Sequence, residues 1–124
     1  ALSADRKLLY VTDALSNRIT EVDDPMARDS SAGVGRTVTS GGLLHRPIAM
    51  ATAPNGHLLV TNALNGQLVE IDPKAGKQIY ARWIDTDQAQ SPPGSGYLFG
   101  IAMTPEGDGF YYVQDDVNTL MLAK

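Results

Sequence analysis

The segment LYVTDALSNRITEVD (residues 9–23) returns 49 residues later as LLVTNALNGQLVEID (residues 58–72), and seven of the fifteen aligned positions are identical. Repetition at a spacing of this order is how solenoids, propellers and similar arrays are built. It constrains the fold of this chain more than any single residue does. A third, weaker copy emerges when the preceding segment is included. RPIAMATAPNGHLLVTNA (residues 46–63) aligns with YLFGIAMTPEGDGFYYVQDD (residues 97–116), so that Pro54 and Gly56 fall on Pro105 and Gly107, and LLVTN falls on YYVQD.

Within each copy the local signals are short strands and tight turns. In the middle copy IAMAT is followed by APNGH, LLVTN by ALNGQ, and LVEID by DPKAGK, with QIYARWI completing the set. Asn-Gly pairs favour tight hairpins, and the Pro- and Gly-bearing segment is a turn. Four successive antiparallel strands in about 40 residues is the pattern of one propeller blade. The runs LLYV, IAMA and FYYV are apolar throughout rather than alternating, which predicts strands covered on both faces, as stacked blades would cover them. No segment keeps helical apolar spacing for three turns without Gly or Pro, so little helix is expected.

The first copy offers KLLYVT, RITEV and GRTVTS without an innermost strand, and the last offers LFGIAM, GFYYVQ and TLMLA without an outermost one. The expected fold is therefore all-β, with blades of four antiparallel strands and about two and a half blades in the chain. The blades divide it into a partial first blade (residues 1–44), a second (45–90) and a partial third (91–124). The loops DDPMARDSSAGV and DTDQAQSPPGSG separate them as surface segments.

Composition removes some functional classes. Of the 124 residues, ten are Lys or Arg, fourteen are Asp or Glu and none is Cys. The net charge of −4 and the lack of any basic run argue against a nucleic-acid partner. The missing cysteines exclude disulfides, thiolate metal sites and a cysteine nucleophile. No apolar stretch approaches the ~20 residues of a spanning helix, so no membrane association is expected.

RPIAMATAPNGHLLVTNALNGQLVEIDPKAGK resembles an NHL-type propeller repeat, and SADRKLLYVTDALSNRITEVD resembles the related YVTN-type blades. The resemblance covers nearly the whole chain and implies a propeller fold. Such folds host unrelated activities, so it does not choose among functions. It further implies that a ring closes by pairing a strand from the chain's start with strands at its end. On that basis the chain reads as the C-terminal blades of a longer propeller, or as a short chain that completes its ring by self-association. Related propellers are often exported, which makes a periplasmic or secreted location the expectation.

Propeller ligands tend to sit at the axial mouth. Asp13, Asn62 and Asp115 align at the end of the second strand of each copy. They could form a polar ring around a ligand, or each could bond neighbouring backbone at its own turn; their repetition favours the second reading. His45 and Arg46 precede the innermost strand of the middle copy, where the last copy has Gly96 and Tyr97. Polar residues that do not repeat at a repeated mouth position are the better binding candidates, which singles out His45, Arg46 and Tyr97. Trp83, on an outer strand, is expected to pack against the next blade.

No acid/base, nucleophile or metal set is complete. Asp85–Gln88 (DTDQ) lacks the Gly and terminal Glu of a calcium loop, and GSG at 94–96 is not a nucleophile elbow. Gluconolactonase-like relatives place carboxylates or amides where RPIAMA and LFGIAM stand here. No catalytic residue, metal or cofactor is therefore assigned. The leading expectation is a binding or scaffold propeller segment whose loops meet a protein or small-molecule partner. The alternative is part of a metal-dependent lactonase- or lyase-like propeller enzyme with its chemistry in other blades.

Overall fold

A computed structural model describes residues 1–85, 90 and 98–124. Ten strands form three antiparallel sheets, and the described residues contain no helix. The first sheet holds β1 (Leu8–Asp13), β2 (Arg18–Asp23) and β3 (Arg36–Ser40). The second is β4 (Pro47–Thr52), β5 (Leu58–Asn62), β6 (Gln67–Asp72) and β7 (Lys77–Trp83). The third comprises β8 (Leu98–Met103), β9 (Phe110–Gln114) and β10 (Thr119–Ala123). Each strand pairs with its neighbour in sequence, which is the meander of a propeller blade.

The first blade departs from expectation at its inner edge. Ala1–Ser3 takes the innermost place as a short bridge, with Leu2 opposite Leu9. The Ala1 ammonium donates to the Tyr10 carbonyl at 2.9 Å, and the Tyr10 N–H donates to the Ala1 carbonyl at 2.7 Å. Three residues are too few to show as a period-2 pattern.

Turn chemistry recurs with the strands. The turn after each innermost strand closes through the N–H of Arg6, Gly56 or Gly107, each at positive φ (61°, 84° and 72°). The turn after each second strand ends on Asn17, Gly66 or Asn118, again at positive φ. Gly and Asn are the residues that tolerate this region. The innermost strands β4 and β8 also share a bulge, between Pro47 and Met50 and between Leu98 and Ile101.

The core lies between sheets. Tyr10 and Ile19 from the first blade meet Leu58, Val60, Val69 and Ile71 from the second, with Leu44 from the connecting loop. Removing each such side chain from water contributes about 1.5–3 kcal/mol. The prediction of strands covered on both faces is not met by the three runs that carried it. IAMA keeps Ile48 exposed and FYYV is buried only at Tyr112, whereas β5, the central strand of the middle blade and not among them, is buried almost throughout. LLYV fails where a blade has no neighbour: Val11 on β1 is 41% exposed, whereas its counterpart Val60 is 0% exposed. Trp83 likewise stays largely exposed at the rim of a groove with Leu68, Phe110 and Tyr112, because no described strand lies outside β10 to cover it.

Candidate functional site at the mouth of the blades

The loop leading into β4 and the turns after β1 and β5 converge at one end of the sheets. Asn62 is the last residue of β5 and is fully buried. Its Oδ1 accepts the His45 N–H at 3.0 Å, and its Nδ2 donates to the Leu43 carbonyl at 2.8 Å. Both ends of the amide are thus spent on the backbone of one loop. A buried Asn with both functions satisfied is a clamp.

Arg46 is fixed just as firmly. Its N–H donates to Asn17 Oδ1 at 2.6 Å, and its carbonyl accepts the Ala63 N–H at 3.0 Å. The His45 carbonyl accepts the Leu64 N–H at 3.2 Å. Arg46 sits at φ 58°, a left-handed conformation that costs a non-glycine residue roughly 1–2 kcal/mol. Four hydrogen bonds therefore hold the His45–Arg46 backbone, while both side chains remain exposed.

Asp13 closes β1 at the foot of the turn that carries Asn17. Its carboxylate accepts the Arg18 Nε–H at 2.9 Å and the Ser16 N–H at 3.0 Å. Those two donors, Arg18 foremost, hold its carboxyl below the ordinary carboxylate range. Asp115 does not share this position. Strand register places Gln114, opposite Thr119, where Asp13 stands opposite Arg18, and Asp115 is the first residue of the following turn. The turn from Thr104 to Gly109 is only one residue longer than that from Ala53 to His57, whereas matching Asp115 to Asn62 while Pro105 stays on Pro54 needs two extra residues. Asp115 lies on the third blade, exposed, and no bond joins it to the His45–Arg46 loop; Tyr97 lies outside the described residues.

Asn17 was not anticipated at the mouth. Its signal is the Asn that ends a tight turn, seen again at Asn118, and its side chain reaches the next blade. Gln78 was also missed. From β7 it accepts the Leu43 N–H and donates to the Thr39 hydroxyl and the Gly41 carbonyl, tying the second blade to the loop that feeds it. A further polar cluster sits away from this mouth. His57 Nδ1 lies 2.5 Å from Glu70 Oε1, with Tyr80 and Asn55 also bonded to Glu70. Among the described residues no three His, Cys, Asp or Glu side chains gather as metal ligands would.

No protein-family model matches the chain, and no curated protein matches it. Solved structures do. Hydrazine synthase from Kuenenia stuttgartiensis superposes with a TM-score of 0.63 at 20% identity, over 90% of this chain and 27% of that one. Selenomethionine virginiamycin B lyase from Staphylococcus aureus does so with a TM-score of 0.64 at 14% identity, over 100% of this chain and 39% of that one. A catalytically inactive form of the same lyase with quinupristin gives the same values. This chain thus spans about a quarter to two fifths of the structures it matches. Both proteins are β-propellers, and the three sheets here are propeller blades. At these identities the likeness speaks for fold alone.

Proposed function

We propose that this chain is a binding segment of a propeller, of the NHL or YVTN kind in its repeat, whose mouth takes an anionic group of a small molecule or protein. The observation that carries this reading is the His45–Arg46 dipeptide. Four hydrogen bonds fix its backbone, one residue is held at a costly φ, and the imidazole and guanidinium are left open to solvent. Backbone strain retained by surrounding bonds is a reason to ask about function. A guanidinium on a rigid loop is suited to paired hydrogen bonds with a carboxylate or phosphate. Preorganisation lowers the ordering cost of binding.

The test is an NMR titration with inorganic phosphate and with acetate as minimal probes. Shifts concentrated in residues 14–17, 43–46 and 62–66 support the reading. Arg46→Gly is the decisive variant, because glycine accepts φ 58° without strain. It should keep or raise stability while removing those shifts. Shifts spread over the surface, or unchanged in Arg46→Gly, would overturn the reading. Turnover of a lactone in the presence of a divalent metal would move it to the lactonase- or lyase-like class.

A further inference from the structure

The end of the sheets opposite the His45–Arg46 loop holds a cavity of its own. It lies between the first and second blades, where the turn after the Ala1–Ser3 bridge meets the turns after β4 and β6. Its volume is about 290 Å³, and Leu8, Tyr10 and Pro73 supply apolar wall. Tyr10 is 5% exposed and belongs to the core cluster. Its hydroxyl makes no hydrogen bond among the described residues, yet it is not a sealed orphan, so it opens into the cavity that Tyr10 lines. The fold does not require that hydroxyl, because Leu59 holds the same register position in the second blade. A polar group set this deep and left without a protein partner points to a partner from outside.

Two opposite charges line the same cavity. The Ser3 hydroxyl at 2.7 Å and the Lys7 N–H at 3.1 Å both donate to Asp5 Oδ1, which fixes the carboxylate and leaves Oδ2 unbonded. The Ser3 bond first, then the Lys7 N–H, hold the Asp5 carboxyl below its ordinary value, so it is charged near neutrality. Lys74, from the turn after β6, pairs with no carboxylate among the described residues. Burial first, then the Asp5 charge, hold the Tyr10 phenol above its ordinary value, so its hydroxyl keeps a proton to donate.

We infer that this cavity binds a free apolar α-amino acid. The ammonium meets Asp5, the carboxylate meets Lys74 and the Tyr10 hydroxyl, and the side chain lies against Leu8 and Pro73. A ligand with one charge would complement only one of the two ionised groups, whereas a zwitterion complements both. The volume stands at the low end for ligand cavities, which suits a single residue rather than a peptide. Both walls belong to blades that pack on each other, and the site is independent of what the His45–Arg46 loop takes.

An NMR titration with L-leucine tests this, beside isoamylamine and isocaproate, which keep its apolar body and one charge each. Leucine should move the amides around Asp5, Tyr10, Thr52 and Lys74 saturably, and each analogue should bind about threefold more weakly or worse. Asp5→Asn and Lys74→Met should each weaken leucine by about threefold, since both charges stand at a wet rim. Tyr10→Phe should weaken it by about fivefold while keeping its urea midpoint, because no protein group loses a partner. Leucine that gives no saturable shift at the cavity, or an analogue that binds as well as leucine, overturns the inference. So does a stable Tyr10→Phe with unchanged affinity. If Tyr10→Phe fails to fold, the two rim variants decide, and unchanged leucine binding in both overturns it equally.

Discussion

The Thr12 hydroxyl donates to the Ile48 carbonyl at 2.9 Å across the first blade boundary, and Thr61, its counterpart, donates to the Phe99 carbonyl at 3.1 Å across the second. One side chain thus recurs because it makes one inter-blade bond. The innermost strands β4 and β8 bulge, so their ladders leave carbonyls that the second strand of the preceding blade can satisfy. The third blade has Val113 at this position, so its second strand has no hydroxyl there to make this bond.

Replacing Thr61 with Val keeps the shape and removes the bond. Thr61 is fully buried, and its hydroxyl also accepts the Ala49 N–H at 3.2 Å. Thr61→Val should lower stability by about 1–3 kcal/mol, since it orphans buried groups, and Thr12→Val by less, since Thr12 is only part-buried. Urea melts should show a lower midpoint with an unchanged slope.

Asn62 holds the loop that leads into β4 through both of its amide functions. Asn62→Ala leaves the His45 N–H and Leu43 carbonyl without it and should cost roughly 2–4 kcal/mol. Exchange of the His45 amide with solvent should quicken more than that of β6 amides. Equal acceleration of both would mean that the loop is not what Asn62 secures.

Glu70 makes stability depend on acid. His57 first, then Tyr80 and Asn55, hydrogen-bond its carboxylate and hold its carboxyl below the ordinary value. The folded state therefore binds the proton less readily than the unfolded chain. The contribution is complete above about pH 4.3, the ordinary glutamate value, and drains as pH falls through the lower folded value. Glu70→Gln should lose about 1 kcal/mol near neutrality and show a flatter acid limb. A wild-type curve no steeper than the variant's below pH 4.3 would refute this account.

Much of the fold was legible because strand and turn signals repeat. Pro54/Pro105, Gly56/Gly107 and the two Asn-Gly pairs mark the turns, and all ten expected strands form within a residue or so. What was not legible is what period alone cannot carry. The Ala1–Ser3 bridge is too short to alternate, and the turn before β9 holds one extra residue where the alignment of Asp115 with Asn62 assumed two. At the mouth, His45 and Arg46 stood out as the non-repeating pair. The bonds that fix them come from Asn17 and Asn62 on two different turns, and adjacency between blades leaves no trace in local pattern.

The positive-φ turn position gives a graded prediction, because three residues occupy it. Gly56 has open space where a Cβ would project, so Gly56→Ala should cost only the conformational strain, about 1–2 kcal/mol. Gly107 faces Pro54 Cγ, which a Cβ would approach to 2.7 Å, a contact between neighbouring blades. Gly107→Ala adds that clash to the same strain and should cost more. Arg6 already bears the strain at φ 61°, so Arg6→Gly should raise the melting temperature despite glycine's larger unfolded-state entropy. The order of stability changes across the three variants, measured by thermal denaturation, is the check. If Gly107→Ala melts no lower than Gly56→Ala, the turns of the second and third blades do not bear on each other as the structure places them.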